Sequence, residues 1–329
     1  MQLLGGRGTW PACCIAACEA GALGFAVMSS VAPTLQAVKP RVARVKAYVA
    51  LTKPRIIELL LVTTVPAMFV AARGLPSAVL VAETLVGGTL AAGGANAVNM
   101  VVDRDIDRIM QRTQGRPLVT GELAPAQALT FALALEAAAF VELALLVNLL
   151  SALLAISAML FYVFIYTIWL KRTSRQNIVI GGAAGAVPTL VGWSAVTGHL
   201  GLAPWLLFAV VFVWTPPHFW ALAIRYRDDY RSAGVPMLPA VASVRSTSLQ
   251  ILAYTLALLG VTLFFGAVAG MGFIYMGAAS GLGILFVAMA LRLVTEPTPK
   301  VAMRLFGYSI TYLTVLFVAM ALDVVVRHP

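Results

Sequence analysis

The chain has 329 residues, of which 61% are hydrophobic and 11% charged, and its mean hydropathy is +0.93. A soluble domain carries about 25% charged residues, so a single large water-soluble core, a disordered chain and a fibrous protein are excluded. The formal net charge of +10 would suggest nucleic acid only if a soluble basic domain existed to carry it, and none does. The apolar residues come in continuous blocks of roughly 20, the length that crosses the hydrocarbon core as helix. They lack the two-residue alternation of a lipid-facing barrel strand. The chain therefore reads as an all-α polytopic membrane protein.

Residues 1–40 hold all three cysteines, Cys13, Cys14 and Cys18, which leaves the helical body without a disulfide framework or a cysteine zinc site. Residues 11–30 are moderately apolar, but Glu19 and the polar Ser29-Ser30 end weigh against a signal peptide or an extra span. The expectation is a disordered N-terminal extension or an upstream start, with Met28 as the alternative start and an organelle-targeting peptide left open. A nine-helix domain follows over 41–329. Nine spans are predicted at 54–73, 78–102, 124–146, 148–169, 179–197, 204–223, 247–269, 273–293 and 302–325. With the N-terminus in the cytoplasm, 20 of the 23 Lys and Arg residues fall on the cytoplasmic side, and only Arg73 and Arg327 face the other, with Arg7 set aside. That asymmetry is the positive-inside rule, so the basic charge reports topology.

The external connections, at 74–77, 147, 198–203 and 270–272, are short. Those at 103–123 and 224–246 are long and set acidic residues beside arginines. Asn99, Asp103 and Asp107 are spaced by four, so on a helix they precess only about 40° per step and share one face. Hard oxygen ligands at that pitch, at the mouth of a membrane cavity, suit Mg²⁺ held through carboxylates, water and phosphates. Asp105 points elsewhere. Arg112 and Arg116, again four apart, present forked guanidinium groups to phosphate or carboxylate oxygens. The competing reading is a solvated helix end with local ion pairs, Asp103 with Arg108 or Asp107 with Arg112. Against it stands the direct continuation from an apolar span, where ionisable groups tend to face an internal cavity.

Trp214-Thr-Pro216-Pro217-His218-Phe-Trp220 lies near the end of the sixth span. Its double proline is expected to break the helix and free carbonyls, which membrane helices tolerate where they line a cavity. His218 would then face that cavity, or be a buried histidine satisfied by the protein. The adjacent carboxylates Asp228 and Asp229 repel unless a cation sits between them, which makes a second candidate metal site; the alternative is a solvated Pro-Gly turn. The third connection carries Tyr162, Tyr166, Lys171, Arg172 and Asn177. Lys171 and Arg172 either snorkel as interfacial anchors or reach a diphosphate.

Asn99-x-x-x-Asp103-x-x-x-Asp107, the second acidic loop and the nine spans resemble the UbiA superfamily of intramembrane prenyltransferases. Finer text narrows the resemblance to the haem-farnesylating branch. It consists of Arg112-Thr-Gln-Gly-Arg116-Pro117, Trp169-Leu-Lys171-Arg, Gln176-Asn177-Ile-Val-Ile-Gly-Gly-Ala-Ala-Gly185, Trp214 to Trp220, and Asp229-Tyr-x-x-Ala-Gly234-Val-Pro-Met-Leu-Pro239. Together these cover about residues 50–325. Other branches often carry an aspartate where Arg225 stands here, which leaves Asp229 as the ligand of the second loop.

The resemblance implies nine helices around a cavity open to the cytoplasm, in a bacterial inner membrane, with the mitochondrial inner membrane as alternative. It implies transfer of the farnesyl group of farnesyl diphosphate to the 2-vinyl group of haem B, giving haem O, with a haem A synthase downstream. Mg²⁺ would be held by Asp103, Asp107 and Asp229. Asn99, Lys171 and His218 would join them in catalysis, and Arg112, Arg116, Tyr166, Asn177 and Asp228 would bind substrate. Two readings compete: a prenyltransferase acting on an aromatic quinone precursor, and a transporter or cation channel with no chemistry.

Overall fold

The computed structural model describes residues 41–327; the expectation for residues 1–40 lies outside them. Helix α1 (Arg41–Thr52) meets α2 (Pro54–Ala72) at Lys53, whose backbone is left-handed at φ 53°. Pro54 explains the corner. It pushes the residue before it out of the α region and presets the first turn of the next helix. Ser77 caps α3 (Ala78–Val102) by accepting from the Leu80 N–H. At Asp103 the chain passes into the short α4 (Arg104–Ile109) without losing the four-residue ladder: Asp103 N–H donates to the Asn99 carbonyl and Asp107 N–H to the Asp103 carbonyl, each at 2.9 Å.

Helix α5 (Pro125–Glu142) widens into a π-turn over Leu143–Val147, and the single extended residue Asn148 restarts the chain as α6 (Leu149–Leu160). Asn148 secures this one-residue reversal. Its carbonyl oxygen accepts from the Ser151 N–H, and its amide donates to the Ser194 carbonyl. A ten-residue π-helix, Phe161–Leu170, and the short α7 (Lys171–Thr173) extend α6. Next come α8 (Asn177–Thr197) and α9 (Leu202–Arg225), then the short α10 (Arg227–Ser232) and α11 (Leu238–Val241). The chain ends with α12 (Val244–Val268), α13 (Phe273–Thr295) and α14 (Pro299–Arg327).

Among the described residues eight helices are long and apolar enough to cross a membrane, so the protein is multi-pass. The remaining predicted span, the first at 54–73, corresponds to α2. It has 19 residues, but its apolar stretch is Val62–Ala72, because Arg55 and Glu58 occupy its first turns. The break expected at the double proline is corrected: α9 runs unbroken through Pro216 and Pro217. Thr215 Oγ1 donates to the Val211 carbonyl at 2.9 Å, so a side chain bonds to the helix backbone beside the prolines, the kind of compensation membrane helices use there.

With no hydrophobic drive between helices in lipid, close backbone approach carries the packing, and small residues permit it. On α8 a Cβ at Gly192 would come 2.4 Å from the Thr64 carbonyl oxygen of α2. At the end of the bundle away from the acidic loops, buried Asp323 of α14 accepts from the N–H groups of Gly272, Ile274 and Tyr275 at the start of α13. Asp323→Ala would strand these donors and is expected to cost about 3 kcal/mol. The measurement is the thermal unfolding midpoint of the detergent-solubilised protein; an unchanged midpoint would contradict the assignment.

Candidate active site

The carboxylates of Asp103 and Asp107 are 0% and 2% exposed, and Asn99 beside them is 3% exposed. All three sit on the one face that the spacing requires. Asn99 organises the group, its Nδ2 donating to Asp103 Oδ2 at 2.7 Å and to Thr167 Oγ1 at 3.1 Å. The Thr167 hydroxyl in turn donates to the Tyr162 carbonyl, five residues back in the π-helix. Wide turns of this kind are frequent at functional sites. Lys53 Nζ donates to Asn99 Oδ1 at 2.7 Å.

Three cations surround the carboxylates. Lys171 donates to Asp103 Oδ2, and Arg116 to Asp107 Oδ2. The third is Lys53, whose ammonium is pushed down to about 7 by burial and by the charges of Arg116 and Lys171. The local pairs considered from sequence, Asp103 with Arg108 and Asp107 with Arg112, are replaced by these. Arg112 instead spans to the second acidic loop. Its Nη2 donates to the Tyr230 hydroxyl at 3.0 Å, and its guanidinium lies 5.5 Å and 5.4 Å from the Tyr226 and Tyr230 ring centres. Asp105 points away as expected: it is bound by both terminal nitrogens of Arg172 at 2.7 Å and 2.8 Å, which hold its carboxyl down at about 2.

Asp229 is half-buried and Asp228 exposed on α10. Among the described residues no three carboxylate, histidine or cysteine side chains converge to hold a metal by themselves. Three bare carboxylates would repel one another, whereas Asp103 and Asp107 are here neutralised by Lys171 and Arg116. One atom nevertheless fits a hard cation. Asp103 Oδ1 is buried without a hydrogen-bond partner, with Arg172 Nη2 at 3.9 Å. Asn177, 0% exposed at the start of α8, has neither amide atom bonded.

Below this polar cluster lies an apolar cavity of about 300 Å³. Asn99, Asp103 and Asp107 are not among its lining residues; Asn96, one turn before Asn99, is, and with Tyr162 and Tyr166 forms the neck at this end. Tyr162 and Tyr166 stack at 5.5 Å, and Tyr166 rests on Gly181, where a Cβ would meet its ring. The lining of α3 runs from Asn96 to Thr84, about 18 Å along the helix. His218 is not among the lining residues. It is stacked between Trp214 and Phe306 at 4.3 Å and 4.6 Å, with Nδ1 2.7 Å from Ser309 Oγ. Ser309 Oγ is also within hydrogen-bond distance of the Phe306 carbonyl.

Sequence reasoning missed Lys53 and Thr167. Lys53 precedes a span and reads as one more cytoplasmic charge, and its partner is 46 residues away. Its only local signal is its place before Pro54.

The profile of the UbiA prenyltransferase family matches residues 60–320. A protein of Frankia alni named protoheme IX farnesyltransferase is 53% identical over 290 residues, covering 86% of this chain and 99% of that protein. One of the same name from Gloeobacter violaceus is 54% identical over 277 residues, covering 84% and 91%. Among solved structures, an apo UbiA homologue from Aeropyrum pernix superposes with a TM-score of 0.66 at 22% identity, covering 82% of this chain and 98% of that one. A UbiA homologue from Archaeoglobus fulgidus bound to GPP and Mg²⁺ does so with a TM-score of 0.60 at 16% identity, covering 83% and 99%. Helices arranged as in those folds, a cluster of buried carboxylates over an apolar cavity and the profile match agree: the chain belongs to the UbiA prenyltransferase family.

Proposed function

We propose that the chain joins the farnesyl group of farnesyl diphosphate to the 2-vinyl group of haem B, giving haem O and releasing diphosphate. The observation that carries this reading is the 53% identity over 290 residues with a protein named for that reaction. The site's chemistry supports it. Asp103, Asp107 and Asp229 would hold Mg²⁺, and a relative with 16% identity has been solved with GPP and Mg²⁺ bound. When bound, Mg²⁺ would neutralise charge developing on the leaving group.

The chain's own residues do the rest. Lys171, Arg116 and Lys53 add positive charge at the same end, while Arg112 ties the two acidic loops together. The stacked Tyr162 and Tyr166 present ring faces at the neck, where the allylic cation forms and ring quadrupoles attract positive charge. The apolar cavity holds the 15-carbon tail and keeps water from that cation. His218, bonded to Ser309 and stacked behind Trp214, supports that wall of the cavity, and Asp228 and the arginines would bind substrate. The segregated basic residues support a cytoplasmic N-terminus, the bacterial relatives support a bacterial inner membrane, and a haem A synthase would take the product onward.

The test is mass analysis of haem extracted after purified protein is incubated with haem B, farnesyl diphosphate and Mg²⁺. A farnesylated, hydrated haem is expected; unmodified haem would contradict the reading. Tail length gives a second check. A Cβ at Gly88 meets nothing within 4 Å, and Gly88 lines the cavity, about 16 Å along α3 from Asn99. Gly88→Phe is expected to cut farnesyl transfer about 10-fold or more while sparing transfer of a geranyl group, a ratio that filling of the cavity predicts. Equal losses with both donors would contradict it.

A further inference from the structure

The second acidic loop brings more than Asp229 to the site. Tyr226 and Tyr230 are four residues apart, and the Tyr230 N–H donates to the Tyr226 carbonyl at 3.1 Å, so both rings fall on one face of the turn. Arg112, from the first loop, lies against both. Tyr230 is the buried one of the pair, 6% exposed. The Val235 N–H donates to its carbonyl at 3.0 Å and closes the following turn through Gly234, at φ 65°. The ring therefore has a fixed place.

The charges around the hydroxyl show what that place faces. Burial pushes the phenol above its ordinary range, and Arg112, Arg116 and Asp229 are the charges close enough to act on it. Arg116 is the partner of Asp107. On the cavity side the hydroxyls of Tyr230 and Tyr166 interact electrostatically, and Tyr166 belongs to the neck. The Tyr230 hydroxyl is thus within reach of both acidic loops and of the neck at once.

Only half of its hydrogen bonding is used. Arginine has donors alone, so in the 3.0 Å contact with Arg112 Nη2 the phenol oxygen accepts. Among the described residues nothing accepts the phenol's own hydrogen. A neutral donor polarised by a guanidinium suits an anionic oxygen. Two kinds would come to this site in the proposed reaction: those of the diphosphate and those of the haem propionates. The nearness of Asp229, and of Arg116 beside Asp107, groups the hydroxyl with the first.

We propose that Tyr230 donates a hydrogen bond to the diphosphate. The bond strengthens as the carbon–oxygen link to the farnesyl group breaks and its electron pair passes to the departing oxygen; the proton stays on the phenol. The inference rests on the prenyl-transfer reading.

The test is the affinity of the detergent-purified full-length protein for inorganic diphosphate with Mg²⁺, read by calorimetry, with haem B affinity read by absorbance beside it. Tyr230→Phe removes one oxygen and keeps both rings against Arg112. It is expected to weaken diphosphate binding about 10-fold, the scale of one hydrogen bond to a charged group, and to leave haem B affinity within about twofold. Because Tyr230 also touches Arg112, the same change is made in an Arg112→Met background, where a further loss of about 3-fold or more is expected of a direct donor. No further loss there would reduce Tyr230 to a holder of Arg112, and weaker haem binding with unchanged diphosphate binding would assign the hydroxyl to a propionate. Either result overturns the proposal. Thermal midpoints without ligand report folding, and Tyr230→Leu, expected to lose at least as much affinity, decides the matter if Tyr230→Phe does not fold. Failure of the unsubstituted chain to bind diphosphate overturns the prenyl-transfer reading and this inference with it, whereas unchanged affinity in Tyr230→Phe overturns this inference alone.

Discussion

Asp103→Asn lowers turnover about 100- to 1000-fold, the scale on which removal of a single group that stabilises developing charge acts. The change keeps the shape of the side chain, and the carbonyl oxygen of the new amide can still accept from Asn99. What is lost is the charge opposite Lys171 and the buried, unpartnered Oδ1 that suits a hard cation. Because the residue stands where α3 passes into α4 rather than in the packed middle of a span, the protein is expected in the membrane in normal amount. Turnover under saturating Mg²⁺, compared at equal amounts of folded protein, checks this. Turnover near that of the unsubstituted chain would remove Asp103 from the site.

Lys171→Met is the second large effect, about 100-fold, falling on kcat more than on KM. Lys171 is bonded to Asp103 in the absence of substrate, so its charge is already in place where the leaving group would gather negative charge; an interaction that strengthens in the transition state lowers kcat when removed. Arg172, its neighbour, provides the control. Its guanidinium is engaged with exposed Asp105, and Arg172→Met is expected to cost less than about 10-fold because exposed pairs contribute little. Equal losses in the two variants would show that charge at this face acts diffusely and would contradict the separate role of Lys171.

The parts of this site that were legible in the sequence are those written within one helix. Asn99, Asp103 and Asp107 follow from a four-residue interval, and the exclusion of Asp105 from the same arithmetic; both survive because the backbone ladder continues through Asp103. Their partners were not legible. Thr167 and Lys171 are 68 residues from Asn99 and Asp103, and the local pairing with Arg108 or Arg112 fails because the chain turns after Ile109, which carries Arg116 back to Asp107. The double proline misled for a related reason. Proline removes a donor in any helix, but neighbours in a membrane bundle compensate, so α9 stays continuous and His218 packs against α14. The reversal at Asn148 lies one residue from the connection expected at 147.

The central claim is that haem, rather than an aromatic quinone precursor, accepts the prenyl group. Competition tests it most directly: purified protein, Mg²⁺ and farnesyl diphosphate are mixed with equal concentrations of haem B and 4-hydroxybenzoate, and both acceptors are recovered for mass analysis. The predicted result is farnesylated haem with the benzoate unchanged. Farnesyl on the benzoate, or on neither acceptor, would contradict it.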